Sequence, residues 1–170
     1  MTPATRSTLR GLMNALYGFC AVVAGVALVL ISAVIPWAVY TRYVLNQAAS
    51  WPEPMAVLLM IVLTFFGGAA CYRDGMHMRM SFFLSLLPSG LQRVGAVAAE
   101  LLMAIVALFM AVWGAKLVST TWSNAIGDFP ALSVGATYLP IPLGGVILLL
   151  FIVERLTIGP PAPAAPLSPD

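Results

Sequence analysis

Residues 12–40 read LMNALYGFCAVVAGVALVLISAVIPWAVY, an apolar run without a single charged side chain. A helix crosses about 30 Å of hydrocarbon with roughly 20 apolar residues. This run therefore spans a bilayer with length to spare, which predicts tilt or protrusion. Arg6 and Arg10 just upstream imitate the start of a secretory signal. A signal core holds only about 7–15 apolar residues, so the run reads instead as a retained first transmembrane helix. The whole chain has the same character: of 170 residues, 61% are hydrophobic and 8% charged, too apolar for an ordinary soluble domain.

Three further segments of membrane character follow, at 55–72, 91–117 and 138–153. The expected fold is an all-α integral membrane protein of four transmembrane helices, with a short interfacial segment between the first two. Residues 1–11 read as a cytoplasmic N-terminus, 12–156 as the membrane domain, and the Pro-rich stretch 157–170 as a disordered cytoplasmic tail. With both termini inside, Arg6, Arg10, Arg73, Arg79, Arg93 and Arg155 all fall on the cytoplasmic side. Arg42 opposes that assignment, as does Lys116, whose long stem can carry its ammonium to the interface. Trp37, Tyr40, Tyr43 and Trp51 mark the outer boundary at the first loop, and Trp113, Trp122 and Tyr138 at the second. The second and fourth segments are short enough to stand upright or to need shielding by protein, which argues for an embedded partner.

Several functions are excluded or disfavoured by composition. A net charge of +2 from so few groups assembles no basic face for nucleic acid. The chain holds no G-x-x-x-x-G-K-[ST] loop, so no Walker-type ATP site drives it. Cys20 and Cys71 sit in apolar stretches, where a thiol acts as a small hydrophobe. His77, the single histidine, excludes a bis-histidine haem within this chain and suits interfacial hydrogen bonding better than zinc. No catalytic, metal or cofactor site is expected.

Three places carry polar or packing signals. Ser50-Trp51-Pro52-Glu53 fits a capping box at the start of the second span, while Pro54 allows Glu53 itself to be the cap; a subunit contact through Glu53 is the alternative. Gly67-Gly68-Ala69-Ala70 offers a close helix approach, as general packing or as a specific interface. Glu100 lies inside the third span, about 10 Å beyond Arg93 at 1.5 Å per residue. It is either a proton or ion relay, or a carboxylate that snorkels or pairs with an arginine of another helix; no second acid of comparable depth is read elsewhere.

Taken in order, Thr41-Arg42-Tyr43-Val44-Leu45, Ser50-Trp51-Pro52-Glu53, Leu63-Thr64-Phe65-Phe66-Gly67 and Arg73-Asp74-Gly75-Met76-His77-Met78-Arg79 form one pattern. Phe129-Pro130-Ala131-Leu132 and Tyr138-Leu139-Pro140-Ile141-Pro142-Leu143-Gly144 continue it. The pattern resembles the small membrane subunit of tripartite ATP-independent periplasmic (TRAP) transporters, the DctQ-like family, from about Arg42 to Arg155. Two positions depart from it: Pro54 stands where the family commonly carries a second Glu, and Ser81 where it often carries an acid. The resemblance implies a bacterial inner-membrane complex. In it a large permease subunit carries the substrate and sodium sites, a periplasmic substrate-binding protein delivers an organic acid, and the small subunit braces the permease within the lipid bilayer. Arg42, Trp51, Glu53, Gly67, Gly68, Arg73 and His77 are then the candidates for subunit contacts or helix-end anchors. Two rival readings remain: an autonomous homo-oligomeric transporter using Glu100, and a membrane anchor for a redox enzyme.

Overall fold

A computed structural model describes residues 3–47, 49–75, 89–126 and 129–158. His77, Arg79, Ser81 and the Pro-rich tail, for which the sequence makes expectations, lie outside the described residues. Among the described residues the helices are α1 (Pro3–Tyr43), α2 (Pro52–Arg73), α3 (Ser89–Thr121), the single-turn α4 (Val134–Tyr138) and α5 (Pro140–Ile158). Four helical stretches among the described residues are long and apolar enough to cross a membrane, the last combining α4 and α5. Each expected span falls within one of these helices, the last within α4 and α5 taken together, and they run past it by a few residues to about a dozen in all. One addition is a small antiparallel ribbon between α3 and α4, pairing β1 (Ala125–Ile126) with β2 (Phe129–Ser133).

Helix ends follow local chemistry. At the start of α2 the residue outside the helix is Trp51, and Pro52 occupies the first helical position. No side chain caps the end, which corrects both capping schemes read from Ser50 and Glu53. Proline's fixed φ suits that position, and its missing N–H is one that a helix start leaves unpaired anyway. Pro54 is equally harmless, because the first ladder bond runs from the Met55 N–H to the Trp51 carbonyl at 3.1 Å. Pro140 and Pro142 repeat the device in the first turn of α5, whose first ladder bond joins the Leu143 N–H to the Leu139 carbonyl. α2 ends where Gly75 takes a φ of +71°, a backbone state natural to glycine.

The four long helices form a row rather than a four-cornered bundle. α1 packs along α2, α2 along α5, and α5 along α3, while α1 scarcely reaches α5. Burial follows that order: of an 18-residue apolar stretch in each, 33% is buried within the chain for α4–α5 but only 17% for α1 and 11% for α3, so the two row ends are the less covered.

Two consecutive glycines let α5 serve both neighbours. A Cβ at Gly144 would meet the Phe65 Cβ of α2 at 2.8 Å. A Cβ at Gly145 would meet the Ala111 nitrogen and Ala107 oxygen of α3 at 2.8 and 2.9 Å. Successive helical residues point about 100° apart, so adjacent glycines open two different seams. Because lipid tails are as apolar as leucine, such close backbone packing is a main source of helix association in membranes. Cys20, Phe66, Ala69, Ala70, Ala107, Ile147, Leu148, Phe151 and Ile152 form the buried core along these seams.

Candidate functional site

At one level of the row, polar groups from all four long helices converge. Arg73 at the end of α2 donates through Nε and Nη2 to the two carboxylate oxygens of Glu154 on α5, both at 2.9 Å. Its Nη2 also donates to Asn14 Oδ1 on α1 at 2.7 Å. The guanidinium lies 5.5 Å from the Tyr17 ring centroid and 5.4 Å from that of Phe151. The Arg73 and Glu154 side chains are only 7% and 6% exposed, so this is a buried ion pair. Bidentate geometry and satisfied neighbours are what such a pair needs to offset desolvation.

A second knot sits beside the first. Arg155, adjacent to Glu154 and turned toward α3, pairs through Nε with Glu100 Oε1 at 3.0 Å. The Tyr72 hydroxyl of α2 donates to the other oxygen of Glu100, and Arg155 lies over the Tyr72 ring. The Tyr17 hydroxyl donates to Asp74 at 2.7 Å, closing α1 onto the end of α2. The Glu154-Arg155 dipeptide thus repeats in charge what Gly144-Gly145 does in shape, one residue for each neighbour, ten residues and about 15 Å along the helix.

At the far end of α2 a different pair bridges α1 and α2. Arg42 Nη2 lies 3.2 Å from Glu53 Oε1, with the side chains 58% and 72% exposed. Twenty residues separate Glu53 from Arg73, a rise of about 30 Å, which equals the hydrocarbon thickness. The two ion-pair levels are thus set about one hydrocarbon thickness apart along α2. Exposed pairs contribute about 0–1 kcal/mol. Replacing Glu53 by Gln should accordingly lower the melting temperature of the detergent-purified protein by no more than a few degrees, as read by intrinsic fluorescence.

Beside this outer pair lies a cleft of about 280 Å³, lined by Ile35, Ala38, Val39 and Ala56 among others, with Arg42 and Glu53 at its rim.

With four apolar helices and their charged levels in place, comparison with known proteins decides the assignment. Residues 31–157, well over half of the chain, match the family described as tripartite ATP-independent periplasmic transporters, DctQ component. The chain belongs to this family. It is also similar to the sialic acid TRAP transporter small permease protein SiaQ of Vibrio cholerae, at 24% identity over 126 residues covering 73% of this chain and 71% of that protein. It is therefore a TRAP small permease subunit, a multi-pass protein of the bacterial inner membrane.

The residues singled out in the small permease separate into inward and outward groups. Arg73, read from the sequence as a subunit contact or a helix-end anchor, is engaged within the chain by Glu154 and Asn14. Glu100 has the cross-helix arginine that its pairing reading asked for, plus a tyrosine. Arg42, Trp51 and Glu53 stay exposed at the α1–α2 turn. Gly67 faces Ala24 of α1 at an ordinary 3.6 Å, whereas a Cβ at Gly68 would meet nothing within 4 Å among the described residues. Sequence reasoning missed Glu154, Asn14, Tyr17 and Tyr72, and its statement that no other acid matches Glu100 in depth is corrected by Glu154. The available signal was Glu154-Arg155 itself: opposite charges abutting an apolar span, pointing about 100° apart toward two neighbours.

Proposed function

We propose that this chain is the static, non-catalytic accessory subunit of a sodium-coupled TRAP transporter that imports an organic acid. It stands beside a large permease subunit, which carries the substrate and sodium sites and is loaded by a periplasmic substrate-binding protein. The observation that carries the reading is the state of the membrane-level charges: Arg73, Glu100, Glu154 and Arg155 are engaged with one another across helices. A solute pathway needs polar groups that exchange partners, and groups held in cross-helix pairs and knots favour a rigid body instead. The name of the Vibrio cholerae relative supports a carboxylic acid as the substrate class of the complex.

With both termini cytoplasmic, the Arg73–Glu154 level sits at the inner face and Arg42–Glu53 at the periplasmic face. The outward faces of α1 and α3, with Trp51 and Gly68, then supply surface for the large permease, and Arg73 acts indirectly by fixing the row that presents them.

Reconstitution tests this directly. Vesicles holding both permease subunits and supplied with binding protein should accumulate substrate down a sodium gradient, and vesicles with the small subunit alone should not. Accumulation by the small subunit alone would overturn the accessory role and favour an autonomous transporter. In the complex, replacing Glu100 by Gln should leave the sodium dependence of uptake unchanged, because its carboxylate acts as a helix tie.

A further inference from the structure

The cleft at the outer end of α1 and α2 combines an apolar wall with a cation and an anion side by side at its rim. Arg42 directs one 3.2 Å contact at Glu53, and guanidinium carries five N–H donors, so most of its donors are left over from that pair. Glu53 likewise keeps acceptor capacity beyond that single bond. The rim lies at one of the two ion-pair levels set about one hydrocarbon thickness apart along α2. Trp37 and Tyr40, exposed and with ring centroids 6.0 Å apart, belong to the same end of α1, as does exposed Tyr43 on the cleft itself. Aromatic rings of this kind settle at lipid headgroup depth.

We infer that this cleft seats a phospholipid whose headgroup carries a primary ammonium, with its phosphate on Arg42, its ammonium on Glu53 and its first acyl carbons against Ile35, Ala38, Val39 and Ala56. Charge complementarity selects this occupant. An anionic headgroup without an amine matches Arg42 but is repelled by Glu53. A choline headgroup offers phosphate to Arg42 but has no N–H for the carboxylate. A primary ammonium has three donors and satisfies Glu53 while the phosphate takes the free guanidinium edge. The inference rests on the membrane position of the cleft and is independent of whether the subunit is static.

Native mass spectrometry of the small and large permease subunits together, released from mild detergent with added phosphatidylethanolamine, phosphatidylcholine or phosphatidylglycerol, tests it. Phosphatidylethanolamine adducts should survive activation about tenfold better than the other two, the scale of one retained hydrogen bond to a charged group. Glu53→Gln should bring phosphatidylethanolamine down to the level of phosphatidylcholine. Arg42→Gln should lower the retention of all three lipids by removing the partner of their shared phosphate, and Ala56→Phe should lower retention by filling the wall without altering charge. Equal retention of the three lipids by the wild-type complex, or a preference for phosphatidylglycerol, would overturn the inference even if every variant failed to fold. Loss of the large subunit from Arg42→Gln with lipid adducts unchanged would also overturn it, giving the cleft to a protein side chain.

Discussion

Alanine in place of Arg73 should cost about 3–5 kcal/mol, because it strands the Glu154 carboxylate in a buried site. The same substitution leaves Asn14 without its donor and removes the cation from between Tyr17 and Phe151. Glu154→Ala should be about as severe for the converse reason. The expected result in detergent is a large drop in melting temperature for each single variant, with co-purification of the large subunit falling in parallel. Substrate affinity of whatever complex still assembles should be unchanged. An apolar double replacement, Arg73→Met with Glu154→Leu, should recover most of the loss, since buried pairs are often matched by well-packed hydrophobes. Single variants that melt and assemble like the wild type would show that the pair holds nothing together.

The second large effect is steric. Gly145→Val should separate α3 from α5, because its Cβ meets backbone atoms of Ala107 and Ala111 that have no rotamer to escape into. Overpacking of this type costs about 1–3 kcal/mol and sometimes more. The Arg155–Glu100 pair lies along the same seam, so spreading the helices should also weaken that tie. A cysteine pair engineered across α3 and α5 should cross-link in the parent and lose most of its yield in the Gly145→Val background. Gly68→Ala is the matched control, with open space around it, and should leave both stability and cross-linking as they were.

Much of the fold was legible because a bilayer imposes one strong rule, that an apolar stretch of sufficient length must be helical. The four spans were readable for that reason, and errors were confined to their ends. Trp51 and Pro52 illustrate the limit: serine and glutamate spacing suggested a cap, but proline had already satisfied the geometry of the first turn and Glu53 turned to Arg42. The polar level was half legible. Glu100 stands out inside an apolar run, whereas Glu154 abuts the end of one and looks like an ordinary terminal charge. Only helix order reveals that it meets Arg73, 81 positions earlier in the chain. Order among apolar helices is not written in hydropathy, since any face can meet any other equally well in lipid. Gly144 was quoted as part of a family pattern and Gly145 was not singled out, and their roles as seams for two different neighbours depend on that same order.

A file of four helices has two broad flanks and almost no interior. With interaxial distances of about 8–10 Å, four abreast make a palisade some 30 Å between its outermost axes. A square bundle built from the same chain would be roughly a third of that between adjacent axes. The protein therefore trades self-contained stability for perimeter. Its thinness leaves it little interior to enclose and a long flank to present in the plane of the bilayer.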